Sequence, residues 1–192
     1  PDHFLDLVPL RYALAYRIPL LPRPLPVYLP PGGRKIWEHS VAAYDETEGA
    51  FSSPFALSEY QDGQHYRLGT LDVRVALLRH YIPNYGVEIS GNGRLVYSGD
   101  AGPGPELARL AHKANLFLCE ATWLDHEAAP DDRGHLTAQE AGEIARDAGV
   151  RRLLLTHIYP GIDVRKIVEA AEAAFDGRVS LAEEGQSYVV GD

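Results

Sequence analysis

The sequence predicts an α/β protein, and three observations carry that prediction. Two short and almost wholly apolar runs, "NLFLCEAT" and "RRLLLTHI", have the length and continuity of strands covered on both faces. Each is followed by a segment with helical periodicity, "TAQEAGEIARDAG" and "DVRKIVEAAEAAF". Upstream, "HYRLGTLDVRVALLRH" and "YGVEISGNGRLVYSGD" read as strands with tight turns, and Asn92-Gly93 is a hairpin signal. A strand-rich middle followed by alternating strands and helices implies α/β layers, in a single domain over residues 1–192.

The individual elements follow from local signals. The apolar segment Phe4 to Ile18 leads into "PLLPRPLPVYLPPGG", too rich in proline for a helix interior, and this reads as a connection around a short strand "PVYL". "RKIWEHSVAAYD" predicts a short amphipathic helix with Ile36, Trp37, Val41 and Tyr44 on one side. "GPELARLAHKA" predicts a helix before the first buried strand. Thr137 and Glu140 have capping-box spacing, and Gly149 stands where a C-terminal glycine belongs. "VSLAEEGQSYVV" closes the chain as a strand or a hairpin.

The composition narrows the function classes. At 192 residues, 45% apolar and 23% charged, the chain is long enough to bury a core and has the balance of a soluble globular protein. A net charge of −9 argues against gripping duplex nucleic acid, which needs clustered Lys and Arg. It leaves room for a small anionic substrate held through bound cations, because metal ions invert the local charge logic. The single cysteine, Cys119, rules out an intrachain disulfide and fits a reducing, cytoplasmic compartment. No apolar run approaches the roughly 20 residues of a membrane span.

The chemistry-bearing residues gather at predicted strand ends. His80 ends "VRVALLRH", Asp100 follows "LVYSG", and His157 ends "RRLLLTH". His135 lies in the polar loop "DDRGHLT", and Asp2-His3 precede an apolar segment. Strand ends aim side chains from several segments at one point, as a metal site requires. Taken singly, each has a plainer reading: a hydrogen-bonded histidine, a turn aspartate, an aspartate cap. His39, His65, His112 and His126 are assigned to hydrogen-bonded surface or core roles, with His112 on the solvated face of a helix, and Cys119 to a buried apolar one.

Together, "PDH", "RHYIPNYGVEI", "VYSGDAGPGPELARLAHKANLFLCEATW", "GHLTAQEAGEIARDAGV" and "RRLLLTHIYP" resemble the metallo-β-lactamase superfamily, in the branch containing ribonuclease Z and its short relatives. The resemblance implies a four-layer αββα sandwich whose first strands precede this chain, leaving sheet edges and apolar faces uncovered. "PDH" looks like the last three positions of His-x-His-x-Asp-His, which would put two further histidines before Pro1. By the same resemblance Asp2, His3 and His157 would bind one metal and His80 the other, with Asp100 bridging. His135 matches a catalytic histidine that is not a ligand, and Glu120 matches a glutamate of the ribonuclease Z "HEAT" stretch. Cys119 replaces the histidine of that stretch, and "HLT" stands in place of the more usual "HST".

What this implies is a metal-dependent hydrolase using a pair of divalent ions, zinc foremost with manganese or iron as alternatives, to generate hydroxide near neutral pH. His135 would protonate the leaving oxygen or stabilise the charged one, and Glu120 would orient it. The interval between His80 and Asp100 is too short for the tRNA-clamping arm of ribonuclease Z, so a cyclic nucleotide or short oligonucleotide is the expected substrate. The rivals are tRNA 3′-processing, a lactonase, thioesterase or sulfatase activity on the same fold, and a non-catalytic subunit with an incomplete metal site. A homodimer is the assembly the resemblance suggests.

Overall fold

The structure is a computed structural model that describes residues 4–16, 24–42, 54–126 and 133–191. Asp2, His3 and Tyr44 therefore lie outside the described residues. The fold is α/β, as expected, and its contacts divide the chain into two compact units, Pro1–Gln61 and Asp62–Asp192.

The first unit holds α1 (Leu7–Tyr16), β1 (Leu25–Leu29), α2 (Gly33–Val41) and β2 (Phe55–Glu59), with β1 and β2 paired in parallel. Pro9 sits in the first turn of α1, where a missing N–H breaks no helical hydrogen bond. The strand expected at "PVYL" is β1. Trp37 is the centre of this unit's core, with the rings of Phe4 and Phe55 edge-on to it at 6.2 and 5.9 Å. Trp37 and Val41 are buried as the helical pattern requires, but Ile36 is 57% exposed, which corrects the four-residue face read from the sequence. Neighbouring helix positions point about 100° apart, so the i, i+4 pair Trp37 and Val41 takes the inward stripe and Ile36 is turned away from it.

The second unit is a seven-stranded sheet in the order β3 (His65–Leu68), β4 (Leu71–Leu78), β5 (Asn84–Ser90), β6 (Arg94–Tyr97), β7 (Leu116–Glu120), β8 (Arg152–Thr156), β9 (Arg178–Leu181). The first four strands form an antiparallel meander, and β6 to β9 run parallel. The parallel steps pass through α3 (Pro105–Ala111), α4 (Ala138–Ala148) and α5 (Val164–Ala174), because parallel neighbours need a crossover. Phe117, Cys119, Leu153 and Leu155 from the strands pack with Leu107, Leu110, Ile167 and a run of small helix residues in one core.

Two local expectations are met and two are refined. Thr137 Oγ1 accepts from Glu140 N–H at 3.1 Å while Glu140 Oε2 accepts from Thr137 N–H at 2.9 Å, closing the capping box, and Gly149 ends α4 at φ 64°. The hairpin forms, but Ser90 pairs with Arg94, so the loop is Gly91-Asn92-Gly93 rather than a two-residue turn. The closing segment gives β9, and no second strand pairs with it among the described residues.

This topology positions the site. β6, β7 and β8 are mutually parallel, and β4 runs the same way because two antiparallel steps separate it from β6. The carboxyl ends of all four therefore meet at one end of the sheet, carrying His80, Asp100, Glu120 and His157.

Candidate active site

Glu120, the last residue of β7, is fully buried and accepts five hydrogen bonds. Its Oε1 accepts from Ala101 N–H and His135 Nδ1–H, each at 2.8 Å. Its Oε2 accepts from Thr122 Oγ1–H at 2.7 Å, Leu136 N–H at 3.1 Å and Thr122 N–H at 3.2 Å. A carboxylate taken out of water is tolerable only when its lone pairs are filled this way. The Ser98 hydroxyl accepts from Glu120 N–H at 3.0 Å and fixes the strand end itself.

The histidines share one pattern. His80 Nδ1 donates to Gly134 O at 2.7 Å, because a carbonyl can only accept. His135 Nδ1 donates to Glu120 in the same way. His157 Nδ1 lies 2.9 Å from Thr122 Oγ1, whose single hydrogen is engaged by Glu120, so here too Nδ1 is the donor. In each neutral ring the lone pair is then on Nε2, the tautomer that a metal-ligating histidine with a second hydrogen-bond partner adopts.

The rings are adjacent. His135 lies between the other two, its centroid 4.9 Å from that of His80 in a T-shaped contact and 5.2 Å from that of His157 in a stacked one. His157 Nε2 is 3.6 Å from Asp100 Oδ1. Ligand atoms of Asp100, His135 and His157 all lie within 4.8 Å of one another, and the Asp100–His157 pair offers the carboxylate and imidazole donors that suit a divalent transition ion. Glu120 raises the pKa of His135 above the usual histidine value through their hydrogen bond, against the opposing effect of burial and with smaller help from its own charge and that of Asp100.

Backbone geometry fixes these positions. His157 has φ 53°, a left-handed conformation rare outside glycine, which turns the chain sharply at the end of β8. Gly99 precedes Asp100 at φ 58°, and a Cβ there would fall 2.6 Å from the Asn84 side chain. At Gly134 a Cβ would fall 2.7 Å from His80 Nδ1 and 2.9 Å from the Tyr81 ring, so the His80–Gly134 bond needs a glycine.

Comparison with known proteins now adds the lineage. Residues 1–158 match the family model described as the beta-lactamase superfamily domain. The chain belongs to that superfamily. An uncharacterised protein of Mycobacterium leprae is 37% identical over 153 residues, covering 73% of this chain and 54% of that protein, so the chain spans about half the length of such relatives. Ribonuclease Z of Haloferax volcanii is 39% identical over 99 residues, covering 50% of this chain and 31% of that enzyme, and such similarity puts this superfamily member in the ribonuclease Z-like branch. The metallo-β-lactamase fold protein YhfI of Bacillus subtilis matches with a TM-score of 0.79 at 22% identity, over 96% of this chain and 72% of that one, which establishes the metallo-β-lactamase fold.

Of the residues singled out in the sequence, the structure brings His80, Asp100, Glu120, His135 and His157 to one sheet end; Asp2 and His3 lie outside the described residues. His135, read in the sequence as standing apart from the metal, is within ligand distance of the Asp100–His157 pair. Thr122 and Ser98 were missed. Thr122 stands two residues after Glu120, the spacing that puts strand side chains on one face, and that was the available signal. Cys119 is a buried apolar residue as expected, its thiol pKa pushed well up chiefly by burial. Among the described residues no helix is long and apolar enough to cross a membrane.

Proposed function

We propose that this superfamily member is a metal-dependent hydrolase, a phosphodiesterase acting on a small phosphodiester such as a cyclic nucleotide or short oligonucleotide. The observation that carries the reading is the buried Glu120 holding His135 beside the Asp100–His157 donor pair. Asp100, His157 and His80, together with Asp2 and His3, are the residues that would hold two divalent ions, zinc foremost. When bound, such ions supply acidified water and stabilisation of developing negative charge.

The chain's own groups do the rest. Glu120 favours the imidazolium form of His135, leaving an Nε2–H beyond the carboxylate's reach. That proton passes to the leaving oxygen as its bond to phosphorus breaks, and the neutral ring remains fixed by Glu120. Thr122 ties Glu120 to His157, so acid and donor pair are held by one network.

A small substrate is favoured over tRNA because the interval from His80 to Asp100 is a compact hairpin, β5 and β6 joined by three residues. Similarity to ribonuclease Z supports tRNA 3′-processing as a second reading. The full-length protein is tested on bis(p-nitrophenyl) phosphate, 3′,5′-cyclic AMP and a precursor tRNA. Turnover of the first two with little on tRNA is expected. Hydrolysis of the tRNA alone supports the second reading, and inertness toward all three redirects the search to other esters.

A further inference from the structure

We propose that Tyr81 is a specificity-determining residue, a platform on which the flat base of a nucleotide stacks while its phosphodiester occupies the site. The inference rests on the phosphodiesterase reading and names the feature of the substrate that the site selects. Tyr81 follows His80 directly and is 61% exposed, with Ile82 beside it at 60%. Large apolar groups left in water at the mouth of a site, rather than scattered, ask for a ligand.

The exposure of Tyr81 does not leave its ring unplaced. Its centroid lies 5.1 Å from that of His80 and 5.8 Å from that of His135, tilted on the first and edge-on to the second. The Gly134 backbone packs against its Cδ2–Cε2 edge so closely that a Cβ there would sit 2.9 and 3.0 Å from those atoms. One side of the ring is therefore seated on the groups that hold the catalytic histidine, and the remainder is open. A ring held against His135 meets whatever the reacting phosphorus carries within a few ångströms.

That substituent is planar and apolar-faced if the ring is to gain from it, which selects a nucleobase over an alkyl or sugar group. The acidic balance of the chain, −9 overall, fits recognition through stacking better than through a carpet of cations on the substrate backbone.

The test compares 3′,5′-cyclic AMP with the base-free cyclic phosphate of methyl riboside, using full-length wild type, Tyr81→Leu and Tyr81→Phe. Tyr81→Leu should raise KM for cyclic AMP about tenfold with kcat within about twofold, leave the base-free ester unchanged, and be rescued by Tyr81→Phe. Equal losses on both substrates, or no change on either, overturns the proposal and leaves Tyr81 as loop packing. If the wild type hydrolyses neither ester, the phosphodiesterase reading has failed on its own. Binding of adenosine monophosphate against ribose 5-phosphate then decides: a preference for the base that Tyr81→Leu abolishes supports the platform, and its absence overturns it.

Discussion

The two halves of the seven-stranded sheet are built differently although they share one hydrogen-bonded ladder. In β7 and β8, Leu116, Phe117, Cys119, Glu120 and Leu153 to Leu155 are buried, and Phe117, Cys119, Leu153 and Leu155 share one core with helix residues such as Leu107, Ala141, Ala145 and Ile167. In β3 and β4, Leu68, Leu71 and Leu77 stay exposed, and the Arg67–Asp72 pair lies open with side-chain exposures of 64% and 59%. The candidate catalytic groups Glu120, His135 and His157 are aimed from the dry half and from the loop before its central helix α4. A strand locked on both faces cannot drift by the fraction of an ångström that degrades a site, whereas a half-solvated meander can.

The sharpest way to test that difference is to remove the proposed acid, His135, and leave the scaffold. His135→Ala should lower kcat by about 10²- to 10⁴-fold while the far-UV spectrum and melting transition are retained. Loss of folding along with turnover would mean that His135 is a structural member of the dry half.

A paired substitution compares the halves directly. Leu155→Ala, in the core, should cost about 2–5 kcal/mol in denaturant unfolding, whereas Leu77→Ala, 42% exposed, should cost less than about 1.5 kcal/mol. Similar costs at the two sites would erase the distinction. Thr122→Val keeps the shape but removes the buried hydroxyl that bonds His157 Nδ1 and Glu120 Oε2, and should cost about 1–3 kcal/mol. Its effect on turnover should exceed that of any comparable substitution in β3.

The pH dependence of stability in chelator-treated protein follows from His135, whose pKa is raised by Glu120. A raised histidine pKa contributes stability fully present below the unfolded value, 6.5, and lost as pH rises through the folded one. Unfolding free energy should therefore fall as pH increases above that value, and His135→Gln should flatten the slope. At the far end of the scale, Arg67→Ala should change stability by no more than about 0.5 kcal/mol.

Much of this arrangement is legible in the sequence where local and tertiary signals agree. The capping box at Thr137, the apolar strands β7 and β8, and functional residues placed at strand ends are all readable, because period, cap chemistry and burial point the same way. Ile36 was misplaced because a hydrophobic residue beside the true stripe satisfies a loose count of apolar positions. The Asn-Gly signal identified a hairpin but not its loop length, which the Ser90–Arg94 pairing sets. The network through Ser98 and Thr122 was out of reach for a different reason. It depends on which hydroxyls face one buried carboxylate across β6, β7 and β8, a matter of register between strands far apart in sequence.

The decisive measurement is elemental analysis of the full-length protein, wild type and His135→Ala side by side, with turnover of a phosphodiester measured on the same samples. About two divalent ions per chain are expected in both, with phosphodiester turnover in the first and its near loss in the second. Little metal in the wild type would contradict it.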